Sequence, residues 1–189
     1  MQDIAPLNPT KVVELGGRYG LSSIALAQKQ PALTFEVRCD SREIIDRSLS
    51  VVPASVKDRF EFTYVSSLCD SVPQDHRDTV CVYIIRNMLW NQTDESAVNI
   101  LRSLLPTLEL PSQTRILVTD GYSPALGDFP PHIELAYRRR DITTMTMHNA
   151  KQRTQEEWLA LFAEADSRLQ VRAHPCRVGL GANFCRSGP

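Results

Sequence analysis

"VVELGGRYGLSSIALAQ", residues 12–28, passes from an apolar strand through a glycine turn into a helical pattern. Val12 and Val13 are β-branched and suit a strand. Gly16, Gly17 and Gly20 permit a sharp reversal and a close approach of backbone to a ligand, which any side chain would obstruct. From about Leu21 the apolar residues recur at helical spacing. A strand, a glycine loop and a helix in that order form the opening unit of an open α/β sheet, in which ligands lie beyond the carboxyl ends of the strands.

Further units follow. "LTFEVRC" (33–39), "FEFTYV" (60–65), "VCVYIIR" (80–86) and "RILVT" (115–119) read as strands, with "KVVEL" (11–15) the first of the series. The fourth and fifth are continuous enough to be covered on both faces. A helix is predicted from Asp94, with Ala97, Ile100, Leu101, Leu104, Leu105 and Leu108 on one apolar stripe. Another starts at Thr154, where Thr154 and Glu157 cap each other's free backbone donors and Trp158, Leu159 and Phe162 are expected to turn inward. Alternating strands and helices predict a parallel sheet in a right-handed, three-layer α/β fold. With 189 residues and no linker, repeat or low-complexity tract, residues 1–189 are expected to form one domain.

A hydrophobic fraction of 42%, a charged fraction of 23% and a net charge of −1 argue against nucleic acid or an acidic membrane surface as a partner. Arg138, Arg139 and Arg140 read as a solvated helix face. The five cysteines (Cys39, Cys69, Cys81, Cys176 and Cys185) are odd in number and contain no C-x-x-C pair, so they are expected to be reduced thiols of a cytoplasmic protein. No metal is expected, since His76, His132 and His174 share no ligand-like spacing. The segment "MQDIAPLNPT" lacks a signal-type apolar core, and no run approaches the roughly 18 apolar residues of a membrane span.

The glycine spacing departs from G-x-G-x-x-G. Glu14, at the strand's end, would repel a pyrophosphate but suits a ligand carrying an ammonium group, and Asp40 ends the second strand where it can accept hydrogen bonds from a ribose diol. Together they favour S-adenosylmethionine over NAD, with a bare tight turn as the alternative.

"VVELGGRYG", "FEVRCD", "VYIIRNMLWNQTDESAVNILRSLLPTL", "RILVTDGYSP" and "RRRDITTMTMHNAKQRTQEEWLALFAEAD" occur in this order, and over nearly its whole length the chain resembles the cation-independent O-methyltransferases of plant and fungal secondary metabolism, the fungal branch in particular. The resemblance implies a Rossmann-like class I methyltransferase fold, with a seven-stranded, mostly parallel sheet whose last strand is antiparallel. It implies an S-adenosylmethionine site at the strand ends that includes Glu14, Gly16, Gly17, Gly20, Asp40, Ser66 and Arg86. It also implies a phenolic or polyketide-like small-molecule substrate met by Met145, His148 and Asn149.

Departures from the family pattern bear on activity. Arg18 stands where the family usually has glycine, and Ser66 where it has the Asp that holds the adenine amino group. The family's L-H-D-W-S-D is here Leu89, Trp90, Asn91, Gln92, Thr93 and Asp94, so Trp90 replaces the His that removes the substrate's proton. Gln152 replaces one acid that orients that base, while Asp120 matches the other. Loss of a positioned base costs about 10²- to 10⁴-fold, although proximity alone can carry a phenol of depressed pKa. His148 is a candidate substitute base. The N-terminal helical region that makes the family's dimer and covers its substrate is expected to be absent, which leaves two alternatives: a face for a protein partner, or a fragment of a longer gene product. Three readings stand: a weak or specialised O-methyltransferase, a non-methylating pericyclase- or isomerase-type enzyme, and an inactive accessory partner in a secondary-metabolite pathway.

Overall fold

The computed structural model describes residues 10–70, 81–108 and 114–169, together with the backbones of two later strands. Its strands are β1 (Lys11–Leu15), β2 (Thr34–Cys39), β3 (Phe60–Tyr64), β4 (Cys81–Arg86), β5 (Arg115–Asp120), β6 (Val171–Pro175) and β7 (Ala182–Arg186). The helices are α1 (Leu21–Ala27), α2 (Arg42–Val51), α3 (Asp94–Leu108), α4 (Pro131–His148) and α5 (Gln155–Ala165). The sheet order is β3-β2-β1-β4-β5-β7-β6. Strands β1 to β5 pair in parallel, so their carboxyl ends share one edge of the sheet. The β7 backbone runs antiparallel to both β5 and β6.

The continuous apolar run of β4 has its physical reason in its central place. Tyr83 and Ile85 join Val13, Leu15, Ile116, Val118, Leu101 and Trp158 on the face covered by α3 and α5. Ile84 joins Val12, Phe35 and Ile24 on the other. The stripe of α3 buries Ala97, Ile100, Leu101 and Leu104, with Val98 beside them. The capping box of Thr154 and Glu157 is present in both directions. One inward expectation is corrected: α5 buries Trp158, Leu161, Phe162 and Ala165, while Leu159 is 40% exposed. An apolar stripe spaced three and four residues apart has no room for a residue adjacent to Trp158.

Cys39 and Cys81 are buried, Cys69 is exposed, and none of the three is in a disulfide. Cys176, His76 and the side chains of Cys185 and His174 lie outside the described residues. Among the described residues there is no cluster of three potential metal ligands and no helix long and apolar enough to cross a membrane. Helix α4 buries only Tyr137 and Thr144 in its 18 residues, as α2 buries only Ser48 in its ten.

Candidate active site

The parallel register brings most of the sequence-derived positions to one edge of the sheet. The loop after β1 carries Gly16 and Gly20 at φ +64° and +66°. An added Cβ would lie 2.5 Å from the Met88 sulfur at Gly16 and 3.1 Å from Val37 at Gly20. At Gly17 it would meet the Glu14 carboxyl carbon at 2.7 Å. Glu14 is 3% exposed, and its Oε2 accepts from the Ser23 amide at 3.2 Å and the Ser23 hydroxyl at 2.5 Å. One carboxylate oxygen thus ties β1 to α1, and the carboxyl group itself backs the glycine loop. Asp40 is exposed just beyond β2. Arg86 ends β4, and its Nη1 donates to the Ser22 hydroxyl at 3.1 Å, reaching the first turn of α1.

Trp90 sits in a short 3-10 turn, Leu89–Asn91, which is held from two sides. From β5, Asp120 Oδ2 accepts the Leu89 amide at 3.0 Å. From the segment before α5, Arg153 donates to the Leu89 and Gln92 carbonyls at 2.8 and 2.7 Å and to Asp94 Oδ1 at 2.8 Å. Arg153 is 1% exposed, with its guanidinium 4.9 Å from the Trp158 ring centroid. The half-buried Trp90 donates its indole N–H to the Asn87 carbonyl at 3.0 Å, and its ring meets His148 edge-on at 5.3 Å. An indole held in this way has no site for accepting a proton from a hydroxyl.

Gln152 is buried and directed toward α4, donating from Nε2 to the Thr144 hydroxyl at 2.7 Å. Met145 and Asn149 line a cavity of about 230 Å³ with Thr93, Asp94, Ala150 and Lys151. His148 stands outside that lining, against Trp90. The three substrate positions named from sequence therefore divide between two sides of the end of α4.

The sequence matches the O-methyltransferase domain family over residues 3–167. The chain belongs to that family. It is 38% identical over 171 residues to the O-methyltransferase phnC of Penicillium herquei, covering 88% of this chain and 40% of the relative. It is 32% identical over 166 residues to the O-methyltransferase pgmB of Aspergillus terreus, covering 86% and 36%. Among solved structures, the LepI complex with SAM superposes with a TM-score of 0.77 at 23% identity, covering 96% of this chain and 43% of that one. The chain thus spans about two fifths of the length of its curated relatives.

Within this O-methyltransferase domain, the departures at Arg18 and Ser66 each have a local structural consequence. Arg18 adopts φ +43°, a conformation in which a side chain is strained, and its carbonyl accepts from the Ser48 hydroxyl. Arg18→Gly should therefore raise stability by about 0.5–1 kcal/mol, read as a higher urea midpoint; an unchanged midpoint would mean that the strain is relieved elsewhere. Ser66 is neutral, but its hydroxyl donates to Asp70 Oδ2 at 2.8 Å, and the Ser67 amide adds a second bond at 2.9 Å. A carboxylate is thereby returned to the end of β3. The Ser66 hydroxyl, and then the Ser67 amide, hold the Asp70 carboxyl below the usual carboxylate range.

Asp120 is 1% exposed, and its Oδ1 has no hydrogen-bond partner among the described residues. Burial pushes its carboxyl up to about 6, against the opposing pull of the Leu89, Met88 and Trp90 amides. Since the native pKa lies above the unfolded one, the folded chain keeps a proton that the unfolded chain has lost between about pH 4 and 6. Stability falls as pH rises through that window and is level above it. Asp120→Asn keeps the acceptor for Leu89 but cannot ionise. Parent stability minus variant stability should drop by an order of 2–3 kcal/mol from pH 4 to 7; a flat difference would refute the raised carboxyl. Sequence reasoning missed Arg153, Arg140 and Asp70 at this site. Only Arg153 had a signal, its place just before the capping box.

Proposed function

We propose that this domain binds S-adenosylmethionine and belongs to an O-methyltransferase of fungal-type secondary metabolism that methylates a hydroxyl of a phenolic or polyketide-like small molecule. The observation that carries this reading is the glycine loop, whose backbone leaves no room for a Cβ at Gly16 and Gly17 and little at Gly20, and which faces the sheet edge that Asp40 and Arg86 share. In this reading the sheet is the complete seven-stranded class I form with its reversed last strand. The cofactor supplies an electrophilic methyl group on a cationic sulfur. The chain's own residues shape its cradle through Glu14 and the glycine loop, accept the ribose hydroxyls at Asp40, and offer Ser66 with Asp70 beyond β3. The clamped turn holds Trp90 as a flat wall for the acceptor. Activity, acceptor and any partner are proposed for a protein of the relatives' full length.

A second reading, a non-methylating rearrangement enzyme, is favoured by the indole at residue 90, whose N–H is already tied to Asn87. Calorimetric titration with S-adenosylmethionine and its demethylated product comes first. Micromolar binding followed by methyl transfer across a phenol panel supports the proposal, and binding without transfer favours rearrangement. No heat from a folded chain would overturn both and leave the accessory-partner reading.

A further inference from the structure

Residues 137, 140, 144 and 148 recur at helical spacing on α4. Tyr137 and Thr144 are the buried pair on this face. Arg140 and His148 flank Thr144, and both reach Trp90. The Arg140 guanidinium lies 5.4 Å from the indole centroid, and the His148 ring meets the indole edge-on at 5.3 Å. Among the described residues Arg140 forms no salt bridge. Of the acids around it, Glu134 pairs with Arg138 and Asp141 accepts the Gln152 amide, while Asp120, whose Oδ2 accepts the Leu89 amide, feels the charge of Arg140 without forming an ion pair. The position where the family keeps a base thus presents an indole under an exposed guanidinium that has no salt bridge among the described residues.

We infer that the acceptor is a hydroxyl already ionised at neutral pH, an enolic β-dicarbonyl or a phenol bearing electron-withdrawing groups, seated on Trp90 with its oxyanion at Arg140. This rests on the methyltransferase reading and deepens it. The oxyanion's electron pair forms the new C–O bond while the methyl–sulfur bond breaks and leaves its pair on sulfur. One negative and one positive charge cancel, and no proton moves. Trp90 is then no defect, because the base would have nothing to remove. A flat, conjugated anion also gains from stacking on the indole and from the fixed fork of the guanidinium.

The test uses 2,4-dinitrophenol, whose phenolate is coloured, and unsubstituted phenol, each titrated with and without S-adenosylhomocysteine at neutral pH. The phenolate should bind with a shifted absorption band and at least tenfold more tightly than phenol. Arg140→Ala should weaken the phenolate about tenfold while leaving phenol and S-adenosylhomocysteine unchanged. Arg140→Lys should keep part of the affinity, and Arg139→Ala, an exposed neighbour, all of it. Equal binding of phenol and phenolate, or an Arg140→Ala variant that binds the phenolate normally, would overturn the inference while the methyltransferase reading stands. A folded chain that binds no S-adenosylhomocysteine would overturn both. A pH–rate profile on ordinary phenols that disappears in His148→Ala would overturn it too, by making His148 a working base.

Discussion

Arg153→Ala should cost about 3–5 kcal/mol, a large share of the roughly 5–15 kcal/mol that holds a domain of this size together. The arginine is 1% exposed and satisfies the Leu89 carbonyl, the Gln92 carbonyl and Asp94 Oδ1 together. Alanine leaves the two carbonyls without their donor and opens a void beside Trp158, whose ring the guanidinium covers. Arg153→Lys should fall between parent and alanine, since an ammonium is a point donor and cannot reproduce a planar fork to three acceptors. Urea denaturation followed by the fluorescence of Trp90 and Trp158, the two tryptophans of the chain, measures both effects. A loss below about 1 kcal/mol would show that water replaces the guanidinium, and the turn carrying Trp90 would then not depend on it.

The parallel strands were legible because each is a short apolar run followed by turn chemistry, and the Thr154 capping box because its two partners are three residues apart. The clamp on the Trp90 turn was not. Arg153 and Asp94 are 59 residues apart, and their meeting follows from how α3 and α5 pack on the sheet, which no periodicity encodes. Arg140 was hidden for a different reason. A run of three arginines reads as a solvated face, and Arg139 and Arg140 are exposed, yet on α4 Arg140 also reaches over Trp90 and Arg138 pairs with Glu134. Glu14 was legible as an acid at a strand end, but the bonds its Oε2 accepts from the Ser23 amide and hydroxyl were not. Gln152 was legible as the counterpart of an orienting acid in the run "NAKQRT", but its contact with Thr144 of α4 joins two segments and is not announced by the chain's local pattern.

Trp90→His with Gln152→Glu should raise kcat/KM on ordinary phenols by about 10²- to 10⁴-fold, the contribution of a positioned general base. The geometry favours the first change. Asp120 already lies against the amides of residues 88–90 with a buried, unpartnered Oδ1, so an imidazole on that turn has a carboxylate nearby to raise its basicity. The second change has a local cost. The Thr144 hydroxyl now donates to the Arg140 carbonyl while accepting from Gln152, and a glutamate at 152 must take that hydroxyl for itself within a site only 8% exposed. The double variant is therefore expected to be less stable than Trp90→His alone, although more active. The gain should also depend on the acceptor. A phenol of pKa about 10 must lose a proton on the way to the ether and benefits fully, whereas a phenol already ionised at neutral pH gains little or nothing. Rates across a phenol series of graded acidity separate these cases, because the parent's steep dependence on acceptor pKa should flatten in the variant. A double variant that still binds S-adenosylhomocysteine and shows no gain with any phenol would mean that the missing base is not what limits this site. The rearrangement reading would then become the stronger one.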